Sequence, residues 1–330
     1  MPGVDPQEAT NIVVGEFGSL PHVVELPARG PGADAIGRTA SLLAQVDRSF
    51  EVETTVTGWR IGRTGQAQLR RARAWLSQDL EVLEGSIGSH SGPIKVQVTG
   101  PLTLAARIED PAGESLLRDP GAVAELAAAA ASAFGDLVAR MRRAFPRAQI
   151  VVQVDEPDVP AVLAGRVRTS SGRLSYRSLE NPVAHRCLAT VLQGIEAAGG
   201  VGGVRCFQPR PPIDLFIGAG ARFVGVDLLR GLPADDALPS AWESGIGLLL
   251  GCVPVHAAVH EHSEVGDSQT SAPLRGFMQA SGFSEVPANV AVTPSGGLAR
   301  LDPAAARRVI ERCVRVGQIV RDEHPEAVGG

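Results

Sequence analysis

The chain of 330 residues contains a single lysine, Lys95, so arginine supplies almost all of its 31 basic residues. This bias is typical of a genome that favours arginine and alanine, and it carries no mechanistic weight here. The arginines are scattered over the candidate helices, and no basic stripe with interleaved aromatic residues is present. With a net charge of −5, the sequence predicts no nucleic-acid partner.

Cysteine is also scarce. The four cysteines are far apart and none has a CxxC spacing, which excludes a disulfide framework and a zinc ribbon. They are Cys187, Cys206, Cys252 and Cys313. Reduced thiols are therefore expected.

Long hydrophobic runs are absent. The longest apolar stretch, residues 122–139, is interrupted by Glu125 and Asp136, which favours an amphipathic helix over a membrane span. The first residues include Asp5 and Glu8 instead of a basic segment followed by an apolar one. Mean hydropathy is +0.07. We expect a cytoplasmic protein with no membrane partner, forming one domain over residues 1–330.

Short apolar runs rich in β-branched residues alternate with amphipathic helical stretches, a pattern typical of a parallel sheet wound with helices. Eight such strands are predicted, at residues 11–15, 50–57, 94–98, 150–155, 202–206, 223–227, 247–253 and 289–293. The main helix candidates between them are residues 33–46, 66–83, 120–144, 182–197, 234–244, 271–281 and 303–323. The prediction is an α/β protein with a closed (β/α)8 TIM barrel. An open doubly wound sheet is the alternative, but no GxGxxG motif follows an early strand.

Polar residues follow several predicted strands, where a (β/α)8 barrel builds its active site. The sequence places Ser19, Asp155, Cys206, Asp227 and Gly296 together at the carboxyl-terminal mouth. Three segments here, 17–21 (FGSLP), 98–104 (VTGPLTL) and 152–157 (VQVDEP), resemble motifs of the catalytic barrel of cobalamin-independent methionine synthases. The resemblance continues through residues 209–212 and 294–298, and it is greatest to short, single-barrel members of that family.

The resemblance implies transfer of a methyl group, with folate as donor, to the sulfur of homocysteine held on zinc. It also implies that Ser19 binds the substrate carboxylate and that Asp155 binds the ammonium group. Two structural alternatives stay open. Ser19 is equally well explained as a turn or helix-cap residue, and the carboxylates before Pro157 as a helix-start cap.

The zinc ligands of the family are only partly present. Where it has a histidine, a cysteine, a glutamate and a second cysteine, this chain has Arg205, Phe207, Asp227 and Gly296, with Cys206 one residue from the first cysteine position. Cys206 and Asp227 remain as residual metal ligands, fewer than the three that a catalytic zinc site needs. Zinc is therefore predicted to be absent or relocated. Arg205 is a candidate for binding an anionic substrate, and a salt bridge to Asp227 is its structural alternative.

A second group follows the seventh predicted strand and comprises Cys252, His256, His260 and His262. His256 aligns with the family's proton donor, which makes it the candidate catalytic acid. The spacing of His256 and His260 fits a relocated metal site on one helical face, and a solvated polar loop is the alternative.

Together these features predict a methionine synthase-like methyltransferase acting on homocysteine or a related thiol amino acid. Two alternatives stay open. One is a metal-independent barrel enzyme with a small anionic substrate, and the other is an inactive amino-acid-binding homologue.

Overall fold

A computed structural model describes residues 1–231, 237–255, 266–282 and 289–323 of the chain. Its centre is a parallel six-stranded sheet whose strands lie side by side in chain order. The strands are β3 (Pro93–Thr99), β5 (Gln149–Asp155), β6 (Val201–Arg205), β7 (Phe223–Asp227), β8 (Gly247–Val253) and β9 (Val290–Pro294). The sheet curls into a half-barrel, and six of the eight predicted strands are confirmed.

Helices surround this sheet. The described residues form α1 (Pro6–Glu16), α2 (Ala35–Val46), α3 (Gln66–Ile87), α4 (Pro101–Arg107), α5 (Pro120–Ala144), α6 (Val159–Leu163), α7 (Asn181–Ala197), α8 (Ile213–Gly218), α9 (Ala237–Glu243), α10 (Asp267–Ala280) and α11 (Pro303–Glu323). Short 3₁₀ turns lie at Pro27–Arg29, Arg48–Phe50, Leu116–Arg118 and Leu228–Arg230. The chain is therefore an α/β protein with a TIM-barrel-like architecture.

The prediction of a closed barrel is wrong, because two of the eight predicted strands are not part of the central sheet. Residues 11–15 lie within helix α1, because the Asp5 carboxylate caps its amino terminus and Pro6 occupies the first turn. Residues 50–57 contribute only β1 (Val52–Thr54), which joins a separate small sheet. That sheet also contains β2 (Trp59–Ile61) and β4 (Ile108–Glu109). The barrel is left open on one side.

One extended segment outside the named strands lies beside β3. The Val23 amide donates to Lys95 O at 2.9 Å, and the Lys95 amide donates to Pro21 O at 2.9 Å. Residues 21–23 therefore pair in parallel with β3 at the far edge of the sheet from β9, and residues 24–25 continue from them.

The longest helix, α5, packs on α7 and contributes Leu126, Phe134 and Val138 to the core. Gly194 of α7 makes the close approach possible, because a Cβ atom there would lie 2.7 Å from Ala131 O. Among the described residues, α5 is also the one helix with the length and composition of a membrane span, and half of that apolar window is buried inside the protein. Its apolar surface is thus explained in large part by packing.

Candidate active site

The two most distinctive motifs at the strand ends are joined by one buried carboxylate. Glu156 accepts hydrogen bonds from the Leu102 amide at 3.0 Å, the Thr103 amide at 2.8 Å and the Thr103 hydroxyl at 2.6 Å. Gly100 leaves the room for it, since a Cβ atom there would collide with the carboxylate. Burial raises the pKa of Glu156 to about 7, although these hydrogen bonds lower it. Glu156 therefore caps α4 and fixes the loop after β3 to the end of β5.

Strand β3 alternates between two environments. Ile94 and Val96 point toward the helices and are fully buried, while Lys95 and Gln97 point toward the inside of the half-barrel. The inner side chains line a cavity of about 470 Å³, together with Gln153 of β5 and Arg205 of β6. Four polar side chains thus face a cavity inside the half-barrel, and Arg205 among them is partly exposed to solvent.

Asp155 and Arg205 are paired residues at the ends of neighbouring strands. Arg205 Nε lies 3.6 Å from Asp155 Oδ1, and the side-chain amide Nε2 of Gln153 donates to the same carboxylate oxygen at 2.8 Å. Burial raises the pKa of Asp155, and Arg205 opposes that shift. The Arg205 guanidinium also stacks on Phe207, 4.2 Å from the ring centroid. This arrangement contradicts the alternative in which Arg205 pairs with Asp227.

Lys95 is a site residue that the sequence analysis missed. Its Nζ lies 3.0 Å from Gln97 Oε1, two residues further along the strand. Burial lowers the pKa of Lys95 to about 8, helped by Arg205 and opposed by Asp155. An amine with this pKa is partly neutral near pH 7.5 and is able to accept a proton. The alternation of polar and apolar residues in β3 was the signal that could have identified it.

Ser19 lies in the turn after α1, is exposed, and lines the same cavity. Gly296, two residues after the end of β9, also lines the cavity. The structure therefore brings Ser19, Arg205 and Gly296 to one cavity, with Asp155 beside Arg205.

The residues described do not fit the zinc of the family. Cys206 is fully buried in the apolar core, and burial raises the pKa of its thiol to about 12. Asp227 accepts from the Leu229 amide at 3.0 Å and pairs with Arg230 at 3.2 Å. Within the described ranges, no group of three or more His, Cys, Asp or Glu side chains could hold a metal. His256, His260 and His262 lie outside the described residues.

Comparison with known proteins gave structural neighbours only. No family model and no curated sequence matches this chain. A B12-independent methionine synthase from Shewanella sp. W3-18-1 is 15% identical with a TM-score of 0.49, over 74% of this chain and 66% of that one, just under two thirds of its length. A 2,3-dimethylmalate lyase is 13% identical with a TM-score of 0.33, over 99% of this chain and 91% of that one. These similarities are distant and give no information on the substrate.

Proposed function

We propose that this chain is a barrel enzyme that acts on a small amino acid without using zinc in the position known from methionine synthases. The observation that carries the proposal is the pair formed by Asp155 and Arg205 beside the cavity. Two opposite charges at 3.6 Å, both partly exposed, form a complementary surface for an ammonium and a carboxylate. The Arg205 guanidinium is planar and suits bidentate binding of a carboxylate.

In this proposal Asp155 binds the ammonium group and Arg205 binds the carboxylate, with Ser19 as a further polar contact. Lys95 is the proton acceptor. An amine with a pKa of about 8 matches a thiol, whose pKa is about 8.5, so proton transfer between them is close to balanced. Thiol amino acids such as homocysteine are therefore the first candidates, in agreement with the motif resemblance.

Binding measurements on matched analogues test the proposal. Calorimetry would compare methionine and homocysteine with analogues that lack either the amino or the carboxylate group. We expect Arg205→Met to weaken binding of the amino acids by about 2–5 kcal/mol, because it leaves the ligand carboxylate without its charged partner. The effect should be much smaller for the analogue without a carboxylate.

Arg230→Met is the matched control, since Arg230 pairs with Asp227 at the next strand end and does not line the cavity. This variant should bind the amino acids like the unmodified protein. Equal affinities for Arg205→Met and Arg230→Met would refute the assignment of Arg205.

A further inference from the structure

The cavity that contains the polar site also runs along the edge of the sheet. All five residues of β9, Val290–Pro294, line it. Successive residues of a strand point to opposite faces, so a cavity on one face would contact only alternate residues. The cavity therefore follows the open edge of β9, and the part of it between this edge and residues 21–25 is called the seam.

The seam has two chemically different walls. Its outer wall includes Ile310, Val314 and Gly317 of α11, whose spacing places them on one side of that helix. Its inner wall is polar and includes Lys95 and Gln97. A segment of chain between them would need apolar residues on one face and polar or small residues on the other, which is the alternation that β3 shows.

The second edge of the seam is the segment of residues 21–25. His22 and Glu25 line the cavity, while the Val23 amide and the Pro21 carbonyl pair with β3 on the other side. The seam thus lies between two parallel edges of one curled sheet.

The helical layer continues across the seam although the sheet does not. Helix α1 packs against both α3 and α11, and Glu16 of α1 pairs with Arg307 of α11 at 3.1 Å. On its inner side, Ala9 and Val13 join an apolar cluster with Val24 and Leu26. In a (β/α)8 barrel each outer helix covers the sheet next to the strand that leads into it. Helix α1 is in the place of such a helix.

We propose that the seam receives one extended strand of polypeptide, parallel to both edges, that joins the chain at Met1. Met1 lies in the cavity wall, and its ammonium group donates to Glu25 O at 2.6 Å, where residues 21–25 end. A strand ending there leads directly through α1 into residues 21–25, which is the right-handed β–α–β connection of parallel sheets. About five to seven residues would span the seam. Lys95 lines both the seam and the proposed active site, whereas the pair of Arg205 and Asp155 is not used in this inference.

Extension of the full chain tests the proposal. A copy of Pro93–Thr99, which has the required alternation, would be joined ahead of Met1 through a short Gly-Ser linker. We expect a higher melting temperature and at least about tenfold slower hydrogen exchange at the amides of β9 and residues 21–25. The control is the same extension with proline in place of its two central valines, because proline removes strand hydrogen bonds.

Equal melting temperatures and equal exchange for the two extensions would overturn the proposal, provided that circular dichroism shows both proteins folded. The free PIKVQVT peptide, added to the unextended chain, tests whether the strand must be connected at Met1 or binds equally well as a separate peptide. Protection by the free peptide that matches the fused one would show a strand acceptor without a connection at Met1, and would overturn that part of the inference.

Discussion

At the scale of single residues, the buried carboxylate of Glu156 is expected to make stability depend on pH. Its pKa in the folded chain is about 7 against an ordinary value of 4.5, because burial disfavours the charged form. Between these values the folded chain keeps a proton that the unfolded chain releases, so the free energy of unfolding falls as pH rises through this range. The shift corresponds to about 3–4 kcal/mol, at about 1.4 kcal/mol per pKa unit.

Glu156→Gln removes this titration. Raising the pH from 4.5 to 7.5 should therefore lower the free energy of unfolding of the unmodified protein more than that of Glu156→Gln. Urea unfolding at both pH values measures this difference. Glu125→Gln on the exposed side of α5 is the control and should follow the unmodified protein. Parallel curves for Glu156→Gln and the unmodified protein would contradict the role of Glu156.

At the scale of elements, the contact between α5 and α7 depends on Gly194. A Cβ atom there would lie 2.7 Å from a backbone oxygen, so we expect Gly194→Ala to destabilise the protein by about 1–3 kcal/mol. Gly85 of α3 is the matched control, because no atom lies within 4 Å of a Cβ atom built there. Gly85→Ala should stabilise the protein by about 0.5–1 kcal/mol. Chemical denaturation measures both, and equal stabilities would argue against close packing at Gly194.

The elements also show what local sequence can predict. Buried strands such as β5 were recognised because a run of β-branched residues ends at a turn signal. Residues 11–15 contain a similar short apolar run, and such runs do not distinguish strand from helix. The cap at Asp5 and Pro6 was the deciding signal, and it lies outside the run. The pairing of β2 with β4 is long-range, so no local pattern predicts it.

Part of the candidate site was predicted from the same kind of local signal, the end of a strand. Asp155 and Arg205 both end strands, and neighbouring parallel strands bring such ends together. Lys95 was missed because it lies inside β3, whereas the predicted site residues were polar residues at strand ends.

At the scale of the whole molecule, the open side of the barrel is expected to be its least stable part. All five residues of β9 are partly exposed, whereas β5 has a paired strand on each side and four buried residues. Amides of β9 should therefore exchange with solvent faster than those of β5, because they open in smaller local motions. Hydrogen exchange followed by mass spectrometry measures the difference, and similar protection of both strands would contradict it.

The single lysine has a practical consequence. Apart from an amino terminus, the side chain of Lys95 is the one primary amine in the sequence, and it lines the cavity. Reagents that acylate amines leave guanidinium groups intact, so the arginine-rich outer surface would stay unlabelled. A fluorescent dye attached to Lys95 would therefore lie in the cavity, and its emission would change when a molecule binds there.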